Sequence, residues 1–269
     1  AGGHWNAWVT RGQAIYGAFY PWGMIREIDT TQPWTREEHT RLTKADYGKQ
    51  VKNAPHIHRP NALLLLADGR RMLLAGTPDY GHTGGGLALF DALSGDCTTL
   101  GHEALIPEQS TVALANLPDG RVFGVTSLAA GTGGQAATGI PQFYVFDPDS
   151  REIVWQQDRP HVKGDTSTAY DAVQGPGGLL YLLDGKQAVL YTFDPASRKV
   201  AAVADPGAYG TVAHSAGMGR MQPGDDGALY ILFARAIVRL TPGTGTHEKI
   251  ADLPVSASGA MAVTPERIY

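Results

Sequence analysis

The chain has 269 residues, enough to bury roughly three quarters of the surface its unfolded form exposes, so it needs neither a disulfide nor a metal merely to fold. Glycine (34) and proline (17) are abundant but lack a triplet period, which excludes collagen, and 43% hydrophobic against 18% charged residues excludes a disordered chain. A formal charge of −4 with no basic block lacks the dense positive surface of a nucleic-acid binder, and no apolar run approaches the roughly 18 residues of a membrane span.

Along the chain one element recurs: an apolar stretch that closes on an aromatic or aliphatic residue and then Asp or its substitute. It falls at 26–29, 87–91, 143–147, 190–194 and 237–241, ending on Asp29, Asp91, Asp147, Asp194 and Thr241. A second element precedes each, two short apolar runs joined by a glycine turn, at Gly12, Gly69, Gly120, Gly178 and Gly227. Asp-Gly between apolar runs is a strong hairpin signal because both residues accept positive φ. Each unit then reads as four antiparallel strands, A to D, and repeats of this length are the signature of β-propeller blades. The fold expected is all-β, a single propeller domain over 1–269 with blades starting near 1, 56, 110, 168, 214 and 258. The sixth stops inside its second strand, which implies a fragment of a ring of seven. Residues 35–47 have helical composition and are expected as an insertion helix or a solvated loop.

In a propeller the connections from B to C and from D to the next A share one face and surround the channel mouth. Those connections are the long ones here, at 77–86, 127–141, 158–170 and 205–219, and long loops in compact domains tend to carry function. His4, His56, His58 and His214 lie at or just before A strands, and His82 lies in the 77–86 loop with Tyr80. Arg59 adjoins His58, Arg220 follows His214, and Tyr20 and Trp22 occupy the equivalent loop of the first blade. A single histidine at a strand start commonly hydrogen-bonds loop backbone; co-location is what singles these out. His39, His102, His161 and His247 fall on outer segments and receive no role, and Trp5 and Trp8 are expected in the core between blades.

His, Tyr and Arg together suit β-elimination from a uronate sugar. Arginine matches the carboxylate bidentately, while histidine or a tyrosine of lowered pKa moves the protons. Hydrolysis needs two facing carboxylates, and Asp79, Asp165 and Asp171 share no spacing that pairs them. His56 and His58 alternate along an expected extended segment, so with His214 or His82 added they are a candidate site for a divalent metal such as Ca, Mn or Zn.

The segments 56–70 and 75–86, on a propeller with aromatic-Asp blade endings, resemble the propeller polysaccharide lyases, which include ulvan, oligogalacturonate and rhamnose-glucuronate lyases. That resemblance implies His58 and Tyr80 or His82 as proton-transfer residues, and Arg59 or Arg220 as the carboxylate neutraliser, with His214 beside it. His4, Tyr20 and Trp22 are expected to bind substrate. The expected partner is an acidic polysaccharide or oligosaccharide, with neither nucleic acid nor membrane. Two other readings stand beside it: a non-catalytic propeller that binds carbohydrate or protein, and a metal-dependent hydrolase or lactonase. Cys97 is the only cysteine, so no intrachain disulfide forms. A lone thiol leaves the compartment open, with a secreted or periplasmic location preferred.

Overall fold

The computed structural model describes residues 4–21, 23–31, 33, 56–160, 164–168, 170–213 and 219–269. The expected helix or loop at 35–47 and the residues Trp22, His39, His161 and His214 lie outside the described residues. The chain divides into two compact units, Ala1–Thr168 and Ala169–Tyr269.

The first unit holds three sheets. Strands β1 (His4–Arg11), β2 (Ala14–Tyr20) and β3 (Met24–Asp29) form the first. The second is β4 (Arg59–Leu65), β5 (Arg71–Thr77), β6 (Leu87–Asp91) and β7 (Cys97–Leu100), and the third is β8 (Ser110–Asn116), β9 (Val122–Ser127), β10 (Gln142–Asp147) and β11 (Glu152–Asp158). The second unit holds two more: β12 (Tyr170–Gln174), β13 (Leu180–Asp184), β14 (Val189–Asp194) and β15 (Lys199–Ala204), then β16 (Met221–Pro223), β17 (Leu229–Leu232), β18 (Ala236–Thr241) and β19 (Thr246–Asp252). Every neighbour pair is antiparallel and consecutive, so each sheet is a meander of the kind a blade requires. The segment expected to open a sixth blade forms one bridge, Val263 to Ile268, and Met261 packs there with partly buried Val263 and Ile268.

Both repeated elements have a physical basis. Gly69 and Gly227 turn their hairpins at φ 66° and 76°, a region that side chains resist. The acid that ends β3, β6, β10 and β14 caps the following turn. Asp91 Oδ1 accepts from the amides of Leu93 and Ser94, and Asp147 Oδ1 accepts from those of Asp149 and Ser150. The Phe before Asp91, Asp147 and Asp194 points inward: Phe90, Phe146 and Phe193 are fully buried.

Burial peaks at the second strand of each sheet and, in the four-stranded sheets, is least at the fourth. The second strands are covered on both faces, as in Met72–Ala75 and Leu180–Leu183, whereas the fourth strands β11, β15 and β19 are largely exposed. In the first unit Ala7, Tyr16, Ala18 and Ile25 pack on Ile57, Leu63, Met72, Leu74, Ala88 and Phe90. Inner strands are also stitched by amides: Asn6 Nδ2 donates to the Pro60 carbonyl at 3.2 Å and Asn61 Nδ2 to that of Thr111 at 3.1 Å. Each of these asparagines sits where the register with the second strand shifts, and the bulge re-aims the side chain at the next sheet. Trp5 and Trp8 depart from the expected core position, at 41% and 61% exposed, with Trp5 held edge-on against Phe19.

Candidate functional site

The first unit gathers Tyr20, His58, Arg59, Asp79 and Tyr80 at one place. Tyr20 ends β2, Arg59 begins β4, and Asp79 and Tyr80 follow the end of β5. The His58 backbone is fixed on both sides: its N–H donates to the Thr77 carbonyl at 2.9 Å, and its carbonyl accepts from the Gly23 amide at 3.3 Å. Its ring is 6% exposed and meets the rings of Tyr20 and Tyr80 edge-on, with centroids 5.2 and 4.9 Å away. The Tyr20 and Tyr80 hydroxyls share a short hydrogen bond, and the Arg59 guanidinium lies over the Tyr20 ring, 5.0 Å from its centroid. His4 stands directly opposite Tyr20 in the β1–β2 pairing, so the two occupy the same face of that sheet.

This arrangement separates the two phenols. The hydrogen bond from Tyr80 lowers the pKa of Tyr20, with Arg59 adding to the effect, and the same bond raises that of Tyr80. Tyr20 is therefore the phenol favoured to ionise and Tyr80 the one favoured to stay protonated, with a guanidinium over the Tyr20 ring. Burial lowers the pKa of His58, opposed by the nearby Asp79 carboxylate. Asp79 Oδ1 approaches His58 Nδ1 at 3.1 Å, too bent for a hydrogen bond, and also accepts from the Tyr80 amide at 2.7 Å.

A cleft of about 80 Å³ opens beside these residues, lined by His58, Arg59, Thr77, Pro78, Tyr80, Ala130, Gly131 and Thr132. The 77–86 loop is zipped to the 128–141 loop. Gly81 N–H donates to the Thr132 carbonyl, Gly131 N–H to that of His82, and Thr83 Oγ1 to that of Gln135. A Cβ at residue 131 would run into the Asp79 carbonyl oxygen, so glycine permits the close approach of the loops there. Length marks the 127–141 loop, but its residues in the cleft, Ala130, Gly131 and Thr132, carry no ionisable group that would name them.

Arg220, expected as a carboxylate neutraliser, belongs to the second unit and is 1% exposed; its Nη1 donates to Asp171 Oδ1 at 2.7 Å and its Nε to the Ala213 carbonyl. Asp171 also accepts from the amides of Gly219, Arg220 and Met221, so the pair fastens β16 to β12. Asp165 is likewise committed, to buried Arg159 at 3.0 Å. His82 is exposed and does not line the cleft.

Of the expected metal ligands His56, His58 and His214 or His82, only His214 lies outside the described residues. Residues 56–58 form a turn and irregular chain, not a strand, so alternation does not align the rings. His56 faces His102, 6.4 Å away between centroids, and Gly101, while His58 faces the tyrosines. Among the described residues no three His, Cys, Asp or Glu side chains are grouped to hold a metal ion.

No family profile and no curated protein matches the sequence. Solved structures do. Virginiamycin B lyase from Staphylococcus aureus superimposes with a TM-score of 0.63 at 14% identity, covering 94% of this chain and 71% of that one. A streptogramin B lyase gives 0.61 at 13%, covering 91% and 67%. An auxiliary nutrient binding protein from Bacteroides thetaiotaomicron gives 0.58 at 11%, covering 93% and 57%. At such identities the likeness is one of fold, and that fold is the β-propeller.

Proposed function

We propose that the protein is a propeller lyase that cleaves a uronate-containing saccharide by β-elimination at the Tyr20, Tyr80 and Arg59 cluster. The observation that carries the reading is the hydroxyl pair: one phenol inclined to ionise, hydrogen-bonded to one inclined to stay protonated, beneath an arginine. That lyases stand among the fold neighbours agrees with it.

The chemistry balances on these groups. Arg59 binds the uronate carboxylate and stabilises negative charge that spreads onto it when C5 loses its proton. The Tyr20 phenolate takes that proton, the electron pair forms the C4–C5 double bond, and the C4–O bond breaks. Tyr80 protonates the departing oxygen. Tyr20 is then neutral and Tyr80 ionised, and one proton transfer along their hydrogen bond restores the starting state. Base and acid are neighbours, so the elimination is syn. Asp79, His58 and the two zipped loops hold the tyrosines in place.

The test is incubation with glucuronate- and galacturonate-containing oligosaccharides, with and without added divalent metals, watching for the ultraviolet absorbance of the unsaturated product. New absorbance is expected; its absence from every substrate and metal condition would overturn the reading.

A second reading, non-catalytic binding of carbohydrate, is favoured by the nutrient-binding fold neighbour. It predicts heat of binding without turnover. The hydrolase or lactonase reading finds no grouped metal ligands among the described residues.

A further inference from the structure

His58 poses a separate question. It is 6% exposed, lines the cleft, and neither ring nitrogen has a hydrogen-bond partner among the described residues. Buried polar atoms without partners are rare, because each forfeits its hydration for nothing. Its backbone is hydrogen-bonded on both sides and its ring meets two tyrosine rings, so neither offers its nitrogens a partner.

The tyrosine pair already provides an acid and a base, so His58 is spare for another task. Its orientation says which. Nδ1 lies against Asp79 Oδ1 at 3.1 Å, and a carboxylate oxygen only accepts, so the proton of the neutral ring belongs on Nδ1. Nε2 is left as a buried lone pair. Burial favours this neutral form. A lone pair needs a donor, and a carboxylate has none to offer. A hydroxyl does.

We propose that His58 is the specificity residue of the site: its Nε2 accepts a hydrogen bond from a substrate hydroxyl, so that the cleft selects a hydroxyl-bearing carboxylate, a sugar acid, over a plain one. Arg59, exposed at the rim, takes the carboxylate. At about 80 Å³ the cleft holds about three waters' worth of liquid volume at roughly 30 Å³ each. One hydroxyl-bearing edge enters, and the ring stays outside against Tyr80. This differs from the sequence expectation that His58 moves the proton.

The inference rests on the lyase reading only for where substrate sits, and its test needs no turnover. Glucuronate and cyclohexanecarboxylate, a ring acid without hydroxyls, are titrated by calorimetry into the wild-type protein, His58→Phe and His58→Gln. The wild type is expected to prefer glucuronate by about tenfold, the scale of one good hydrogen bond. His58→Phe keeps the ring packing and should lose that preference with cyclohexanecarboxylate binding unchanged, and His58→Gln should recover part of it. In the wild type, the ¹⁵N resonance of His58 Nε2 should move with glucuronate and stay still with cyclohexanecarboxylate, which needs no variant to fold. Equal affinity of the wild type for the two acids, no binding of either, or a preference that survives His58→Phe would overturn the inference. Discrimination without any unsaturated product would sink the lyase reading and leave this one standing.

Discussion

Asp171→Ala is the substitution whose cost can be worked most directly from the second unit. The carboxylate is 1% exposed and accepts from three consecutive amides, at 2.8, 2.5 and 2.8 Å, besides the Arg220 guanidinium at 2.7 Å. Deleting one partner of a buried ion pair costs about 3–5 kcal/mol, because the remaining charge keeps its desolvation cost and loses its compensation. The amides add about 1–3 kcal/mol each only where water cannot replace the carboxylate. Gly219 is partly exposed but Arg220 and Met221 are buried, so two amides add to the ion pair and a total of at least about 5 kcal/mol is expected. With a guanidinium chloride slope near 4 kcal/mol/M for a unit of this size, the midpoint falls by at least about 1 M. Far-ultraviolet circular dichroism is the assay, since all five tryptophans lie in 1–168 and report only the first unit. Asp171→Asn keeps an acceptor for the amides and should lose less. The double variant Asp171→Leu with Arg220→Met should recover the ion-pair part of the loss, having no buried charge to strand, but not the part due to the amides. A cost below about 1 kcal/mol for Asp171→Ala would refute the reasoning, by showing that solvent reaches the pair.

Two further outcomes test the electrostatics and one tests the site. The Arg70 guanidinium and two turn amides hold the Asp91 carboxyl down at about 2. The depressed value stabilises the fold fully above the unfolded value of 3.8 and ceases to do so as pH falls through about 2. Asp91→Asn should therefore lower stability at pH 7, by about 1 kcal/mol since Arg70 is half exposed, and its unfolding curve should converge on the wild type near pH 2. Burial pushes the Cys97 thiol up to about 11 from 9.0, so alkylation at pH 8 should run about a hundredfold slower in the native protein than in denaturant; equal rates would contradict it. At the site, wild-type elimination should rise with pH through a midpoint below the ordinary tyrosine value of 10.0, because the hydrogen bond from Tyr80 and the Arg59 charge favour the Tyr20 phenolate. Arg59→Gln should move that midpoint upward.

The blade repeat was legible because its signals are local. A glycine that turns a hairpin and an aspartate that caps the next turn act within four residues, and the Phe beside Asp91, Asp147 and Asp194 announces the buried side of the strand. Tyr20, Tyr80, His58 and Arg59 could be nominated because blade geometry brings those strand ends to one region. Their pairing could not, since whether two hydroxyls meet depends on angstrom-scale positions of separate loops. Arg220 and Asp171 are 49 positions apart, and nothing in such a spacing distinguishes a buried ion pair from two surface charges. His56 and His58 were misaligned for a simpler reason: alternation holds only in extended chain, and β4 begins at Arg59. The asparagine stitches at Asn6 and Asn61 did leave a trace, as each precedes an alanine in an innermost strand.

The most direct measurement of the central claim is the rate of unsaturated product formation by the wild type and Tyr20→Phe on the same uronate oligosaccharide. Loss of the phenol removes the base but keeps the ring beneath Arg59 and against His58. The account predicts a fall in kcat of about 10²–10⁴, with KM little changed and the unfolding midpoint intact. A Tyr20→Phe protein that forms unsaturated product at the wild-type rate would contradict it.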